Sequence, residues 1–550
     1  MFKRFESWLA AHPRWMLTLL VGVVLGPLLA KPFNIDDPLF IWLAEHVRQH
    51  PGNFFDFAVN WYGFSSPMWA VTENPPGAGY YYALAGSLFG WNEIGLHLGT
   101  LLAAVAVVLG TYRLAGRLCG RPVWAACLVL FTPVFLVSAD TVMCDVLLLA
   151  LWVWSIVFWV EGLANGQSGK VVLAGVLVAL AILTKYFGVA LLPLLAAYGL
   201  VQRRQAGVWL AALLIPVAVL AAYQWLTHAL YGHALFSAAA GFSNASHTSF
   251  GFSKPAAALI ALSFVGGGLA VALFLAPWLW RGRTLAWTFA ATALVGGVIG
   301  ITMVLPKYHA LTGAAQWVAL AQFILWMFGG VLVLGLAVEL RGRLRDPHAW
   351  LLVLWLAGTF LFTAFGNWTI NGRTVLPMVP AVAILLVRRL ERSGWARPRA
   401  LRYSVLAGAA LAVVVTLCDF QLAVAVRRSA EESMARCGQG PGTIWYEGHW
   451  GFQYYMEKLG ARPVVYDNFS PPTGDLLVVP VHNCCTSEPD TNAIIHRAVV
   501  SVPGPPGLTT WHAAAGAGFY SSYFGLLPFA VGTVPDEEVH IFELRKVTRE

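Results

Sequence analysis

The chain has 550 residues; 58% are hydrophobic and 11% are charged, whereas a soluble globular protein carries roughly 25% charged residues. Lys and Arg number 35 against 27 Asp and Glu, a formal net charge of +8. A soluble domain cannot bury that much apolar surface, which excludes a soluble enzyme, a disordered chain and a disulfide scaffold. It also argues against a nucleic-acid partner as the reason for the +8.

Apolar runs near 20 residues long read as transmembrane helices. They predict thirteen spans, near 14–30, 94–112, 122–139, 143–160, 171–184, 186–200, 207–226, 256–280, 284–304, 313–338, 349–366, 374–387 and 403–419. The fifth and sixth are short and meet at Lys185, so they also read as one broken or re-entrant element. The fold class expected is a polytopic α-helical membrane protein, a monomer, with a transmembrane domain over 1–420 and a small C-terminal α/β domain over 421–550. The first span follows Lys3, Arg4 and Arg14 and lacks a clear small-x-small cleavage site, the pattern of a retained signal anchor. Alternate turns then gather Arg113, Arg117, Arg121, Lys170, Arg203, Arg204, Arg281, Arg283, Arg341, Arg343, Arg345 and the Arg-rich stretch 388–402 on one side. The opposite loops hold Lys31, Arg48, Lys185, Lys254, Lys307 and Arg373. Loops rich in Lys and Arg stay in the cytoplasm, which places residues 421–550 outside it.

The first external loop, 31–93, is long and acidic. In "DDPLFIWLAEHVRQH" two adjacent carboxylates, Asp36 and Asp37, stand just after the first span. Two charges so close to hydrocarbon are costly unless paired, protonated or bound to a cation. They read either as caps of an interfacial helix or as a catalytic base, with a divalent metal (Mg or Mn) on Asp36 and Asp37 as an open addition. Glu73 opens "TENPPGAGYYYALAG", where Pro75 and Pro76 forbid a helix at the start. Tyr81 and Tyr82 follow as interfacial tyrosines or as cavity residues, with Glu73 over the same cavity as Asp36. Asp140 and Asp145 flank the start of the fourth span in "SADTVMCDVLLL". Lys185 interrupts "AILTKYFGVALLP"; it contacts a phosphate or pairs with Asp145. Arg373 in "NWTINGRTVLP" is a third basic candidate, because guanidinium matches phosphate geometry; Lys307 and His309 in "PKYHALTG" are weaker ones. Carboxylates beside cations suit removal of a proton from an acceptor and departure of a phosphate. No Walker sequence and no GxGxxG after a strand is present, so the activated substrate expected is a lipid phosphate arriving through the bilayer.

The tail has 13 acids against 9 bases and short β-type runs such as "TIWYEG", "DLLVVP" and "VHIFELRKV", with a helical stretch "WGFQYYMEKLGA" between them. Cys119, Cys127, Cys144 and Cys418 lie in or beside spans as packing residues. Cys437 with Cys484 or Cys485 is a candidate disulfide in the outer compartment.

"NIDDPLFIWLAEHV", "TENPPGAGYYYALAG", "SADTVMCDVLLLALW", "LTKYFGVALLPLL", "NGRTVLPMVPAVAIL" and "TIWYEGHWGFQYYMEKLGARPV" occur in the order in which the membrane glycosyltransferases of the C-type fold carry such segments. Over nearly the whole chain the sequence resembles the group containing protein O-mannosyltransferases and bacterial lipid A aminoarabinose transferases. The resemblance implies an inverting transfer of one sugar from a polyprenyl-phosphate carrier, such as undecaprenyl phosphate. The acceptor implied is an envelope glycolipid, polysaccharide or protein on the periplasmic face of a bacterial inner membrane. It implies Asp36 at the position linked to acceptor activation, Asp37 where relatives usually have Glu, Glu73 at a second-loop acid, and Asp145 at a family acid of the fourth span. Lys185 and Arg373 fall at basic positions near the donor phosphate. Asn74 stands where the aminoarabinose enzymes have Lys, so the resemblance implies neither a phosphate contact at this site nor the same amino-sugar donor. The competing class is a secondary transporter or flippase for a lipid-linked substrate, in which the same charges form a relay.

Overall fold

The structure, a computed structural model, describes residues 11–72, 74–203, 207–341, 343, 346–394, 398–438, 442–487 and 493–545. Glu73 lies outside these residues, as do the basic loop residues Lys3, Arg4, Arg204, Arg345 and Arg397.

Helices α1 (Pro13–Leu25) and α2 (Asp37–Gln49) both carry Pro in the first turn, where its fixed φ suits a helix and its missing N–H costs nothing. Helix α3 (Gly77–Phe89) follows the Pro75-Pro76 turn and packs on α2. Its first residue must be Gly, since a Cβ at Gly77 would overlap the Leu183 carbonyl oxygen. Helix α4 (Glu93–Leu118) is started by Asn92, whose side chain accepts the Gly95 N–H at 2.9 Å. Helix α5 (Cys144–Asn165) packs against α4 and ends at Gly166, where φ is +67°, a C-cap conformation that Gly adopts without strain.

The expectation of thirteen spans is corrected. Among the described residues seven helices are long and apolar enough to cross a membrane: Glu93–Leu118, Cys144–Asn165, Val208–Tyr231, Gly282–Lys307, Gly313–Val338, Pro347–Gly366 and Leu401–Cys437. Two bent pairs raise the number to nine if each is one crossing. Pro122–Leu130 and Pro133–Ala139 meet at 64°, where Thr132 is extended before Pro133, and Lys254–Gly268 meets Val271–Leu279 at 86°. The other four expected spans are too short. Pro13–Leu28, Ser168–Thr184 and Tyr186–Gln202 are short apolar helices. The run near 374–387 folds in pieces, a one-turn helix Gly372–Val375, a 3-10 turn Leu376–Met378 and a helix Val379–Arg392 of 14 residues, the last about 21 Å long against a hydrocarbon core of about 30 Å. Hydropathy counted apolar runs correctly, but a run buried against other helices need not cross the bilayer.

Helices α6 (Lys254–Gly268) and α7 (Gly313–Leu334) make the most extensive helix pair among the described residues. A Cβ at Gly266 would overlap the Trp326 carbonyl oxygen, and one at Gly330 the Leu262 carbonyl oxygen. Small residues at such a crossing let two backbones touch. Gly266→Ala is expected to force the pair apart and to cost about 1–3 kcal/mol, the usual range for overpacking, read as a lower unfolding temperature in detergent.

Helix α8 (Pro398–Cys437) has 40 residues, about 60 Å, and carries the chain in one piece from its apolar segment into the C-terminal domain. That domain holds a five-stranded sheet of Ile444–Tyr446, Arg462–Pro463, Leu476–Pro480, Ile494–Val502 and Glu537–Leu544. The first three strands pair in parallel and the last two add antiparallel, with a bulge between Ile541 and Phe542. Its helix α9 (Trp450–Lys458) has nine residues, so the tail is β-rich rather than the α/β domain expected. A core of Tyr446, Phe452, Met456, Val478, Val500 and Ile541 seals the sheet against α9 and the end of α8. All seven cysteines are free, so Cys437 pairs with neither Cys484 nor Cys485.

Candidate functional site

The turn before α2 is strained and held from several sides. Ile35 has φ of +49°, an outlier for a β-branched residue. Asp37 explains how the turn is kept. Its Oδ2 accepts the Asn34 N–H at 2.9 Å and its Oδ1 accepts the Val142 N–H at 2.8 Å. The carboxyl is fully buried; burial pushes its pKa up to about 7, against the pull of Lys31 and of the two backbone donors. The C-terminal domain presses on the same turn. Tyr455 Oη accepts the Phe33 N–H at 2.9 Å, and a Cβ at Gly451 would overlap the Phe33 carbonyl oxygen. Strain of this kind persists only where the surroundings over-determine it, and it clusters at functional sites.

Asp36 stands at the N-cap of α2 but makes no capping hydrogen bond. Its Oδ2 instead accepts from Arg373 Nη1 at 2.7 Å. The two residues line a cavity of about 670 Å³ together with Asn74, Cys144, Lys185, Trp450 and Tyr520. Arg373 is placed by a short helix, Gly372–Val375, whose cap Asn371 accepts the Thr374 N–H at 2.9 Å. Its Nη2 donates to the Tyr520 carbonyl at 3.4 Å, and its guanidinium lies 5.7 Å from the Tyr520 ring centroid. Burial opposes the charge of Arg373, but Asp36 and Asp145 outweigh it and keep the guanidinium protonated. Lys185 Nζ lies 2.6 Å from Asp145 Oδ1. Lys185 is therefore both an ion-pair partner and part of the cavity wall. Two polar atoms beside the cavity, Asp145 Oδ2 and Arg373 Nε, are buried with no hydrogen-bond partner among the described residues.

Other candidates fall elsewhere. Lys307 and His309 are exposed and do not line the cavity. Tyr81 Oη donates to the Gly99 carbonyl at 2.7 Å, and Tyr82 Oη meets Thr100 Oγ1 and the Met143 carbonyl, both at 2.9 Å; both tyrosines tie α3 to its neighbours. Asp140 is buried beside Lys31, 3.5 Å from Nζ to Oδ2. Asp36 and Asp37 do not fit a shared divalent cation, since both oxygens of Asp37 accept backbone N–H groups and Asp36 faces a guanidinium. Among the described residues no group of three or more His, Cys, Asp or Glu is placed to hold a metal ion.

Sequence reasoning missed the second ionic centre. Lys31 Nζ contacts Asp419 Oδ2 at 2.5 Å and donates to the Asp140 carbonyl at 2.7 Å, with all three side chains buried. Tyr520 Oη donates to Asp419 Oδ2 at 2.9 Å, so one tyrosine joins this centre to Arg373. The signal was present: Asp419 interrupts the apolar run "TLCDFQLA". The contribution of the tail to the cavity, through Trp450, Cys484, Cys485, Trp511 and Phe524, had no sequence signal, because its residues are ordinary core aromatics and loop cysteines.

The family model for dolichyl-phosphate-mannose-protein mannosyltransferases matches residues 73–231. No curated protein sequence matches. Among solved structures, the chain is similar to an Archaeoglobus fulgidus oligosaccharyltransferase at 13% identity and a TM-score of 0.46, over 83% of this chain and 64% of that one. It is also similar to ArnT of Cupriavidus metallidurans bound to undecaprenyl phosphate, at 15% identity and a TM-score of 0.41, over 86% of this chain and 93% of that one. A third is the arabinofuranosyltransferase AftD from Mycobacteria, at 15% identity and a TM-score of 0.39, over 98% of this chain and 40% of that one. The chain thus spans just under two thirds of the archaeal oligosaccharyltransferase.

Proposed function

We propose that this chain is a membrane glycosyltransferase that moves a sugar from a polyprenyl-phosphate carrier to a hydroxyl of an envelope acceptor. The observation that carries the reading is the Asp36–Arg373 ion pair on the wall of a cavity that also holds Lys185. The match of residues 73–231 to the mannosyltransferase family model agrees with it.

The chemistry follows from the pairing. A sugar phosphodiester brings one negative charge to two cations, each balanced by one carboxylate. The acceptor oxygen attacks the anomeric carbon as its proton passes to Asp36, and the bond from that carbon to the phosphate oxygen breaks with its electrons on the phosphate. Once Asp36 is protonated, Arg373 loses its counter-ion at the moment the second phosphate charge develops. The guanidinium and Lys185 then stabilise the leaving group. One displacement inverts the anomeric centre. Asp37 holds the turn that aims Asp36.

The active face proposed is the periplasmic side of a bacterial inner membrane. Helix α4 supports this: Glu93 at its start accepts from Tyr455 Oη of the C-terminal domain at 3.0 Å. Its other end carries Arg113 and Arg117 with Arg121 just beyond, some 26 residues on, or about 39 Å away. Arginines at one end of a span mark the cytoplasmic side.

The test is reconstitution of the full chain in vesicles with a polyprenyl-phosphate sugar, following appearance of polyprenyl phosphate and of glycosylated acceptor. Lys185→Met is expected to weaken binding of undecaprenyl phosphate by about 10–100-fold, the worth of one charge-assisted hydrogen bond. Solute flux in vesicles lacking the donor, with no transfer when it is added, rejects the reading in favour of a transporter.

A further inference from the structure

The wall that the C-terminal domain gives to the cavity carries two adjacent cysteines that the transfer above does not use. Cys484 and Cys485 are both free, both line the cavity, and Cys485 is exposed. Cys485 has φ of +54°, a region that residues with a Cβ seldom occupy. The turn is pinned in that shape: Asn483 Oδ1 accepts the N–H of Cys484 and of His449, each at 2.8 Å, and Tyr466 Oη donates to the Cys485 carbonyl at 2.8 Å. His449 is 3% exposed. Its Nδ1 meets Gln453 Oε1 at 3.0 Å, while Nε2 has no hydrogen-bond partner among the described residues. His449 and Cys485 line one small pocket, and a buried imidazole with a spare nitrogen beside a thiol is the arrangement that activates a cysteine. The neighbouring Cys484 and His449 hold the Cys485 thiol well below its usual range, while Cys485 and burial push Cys484 up. Glu447 faces His449, Tyr466 faces both cysteines, and Asp36 faces Cys484.

We propose that Cys484 and Cys485 form a reactive vicinal dithiol open to the cavity, a modification site for disulfides and other thiol-seeking reagents. Cys485 is the attacking sulfur and Cys484 the resolving one. The Cys485 thiolate attacks one sulfur of a small-molecule or protein disulfide; that S–S bond breaks and one thiolate leaves. Cys484 then gives its proton to the departed thiolate, and its sulfur attacks Cys485 Sγ and expels the second thiolate, which takes a proton from water. The external disulfide is reduced to two thiols as the pair is oxidised to a vicinal disulfide. Adjacent Cα atoms lie about 3.8 Å apart, closer than the usual disulfide span, so the bond formed is strained and readily reduced again. The site rests on the cavity geometry and does not depend on glycosyl transfer.

Phenylarsine oxide tests the pair, because one trivalent arsenic bridges two neighbouring sulfurs. The full chain in detergent is expected to take one equivalent, mapped to the peptide holding residues 484–485, that survives excess monothiol and is removed by a 1,2-dithiol. Cys484→Ser and Cys485→Ser are each expected to lower that stable uptake by about tenfold or more, since a single thiolate forms a readily exchanged adduct. Glutathione disulfide is expected to leave residues 484–485 as an internal disulfide, without retained glutathione. If the serine variants fail to fold, peptide mapping and iodoacetamide rates on the unaltered chain decide, with Cys485 expected to react faster than Cys437. Arsenic held at Cys144 instead, uptake unchanged in Cys485→Ser, or Cys485 alkylated no faster than Cys437 overturns the proposal.

Discussion

Asp36→Asn is expected to lower sugar transfer by about 10²–10⁴-fold, the contribution typical of a positioned general base, with insertion and folding unchanged. Asparagine keeps the shape but cannot take up the acceptor proton, and it leaves Arg373 without its carboxylate from the start. The free guanidinium then meets the donor phosphate in the ground state. The variant is therefore expected to bind undecaprenyl phosphate at least as well as the unaltered chain while turning over far more slowly. That split separates a base from a residue that merely holds the cavity open, whose loss weakens binding and turnover together. The measurement is the single-turnover rate of polyprenyl phosphate release in vesicles, beside lipid binding to the same preparation. Transfer within a few-fold of the unaltered rate rejects Asp36 as the base.

Lys31→Met is expected to destabilise the protein by about 3–5 kcal/mol, the cost of removing one partner from a buried ion pair. Lys31 is 1% exposed and serves Asp419 and Asp140 at once. Without it, two buried carboxylates lose their cation. Tyr520 bonds Asp419 and lies against Arg373, so a carboxylate that has lost its cation disturbs the cavity wall and activity is expected to fall with stability. Lys31→Met with Asp419→Asn is expected to recover part of the loss, by about 1 kcal/mol or more, since residues in one network do not add independently. Thermal unfolding in detergent of the two single variants and the double variant measures this. A double variant that falls by the full sum of the singles rejects the network.

The polar residues show where sequence reasoning reached and where it stopped. Lys185 and Asp145 stood out because a charge inside an apolar run needs a partner, and they are each other's partner. By spacing alone Asp36 and Asp37 read as an equal pair, and only the family resemblance singled out Asp36; one faces the cavity and the other is spent on two backbone N–H groups. Adjacent residues at a helix start point in different directions, and composition does not say which. Lys307 and His309 matched the same criterion as Arg373 and lie outside the cavity, because a basic residue at a helix end reaches whatever the helix happens to border. The span count failed for a related reason: an apolar run near 374–387 is equally a membrane helix or a helix buried by its neighbours, and hydropathy does not say that the run near 171–184 ends as a helix of only 17 residues.

Sequence by itself determined the solvent this chain folds in. An 11% charged fraction with apolar runs of membrane length permits a polytopic helical bundle, and hydropathy is a local property that any window reads. It also marked the loop after the first helix as the seat of unusual carboxylates. Only the tertiary structure decided which charges meet. Asp36 and Arg373 are 337 residues apart, and Lys31 and Asp419 are 388 apart. A buried charge requires a partner but does not name it, because the partner is whichever opposite charge the packing of distant helices brings within about 3 Å.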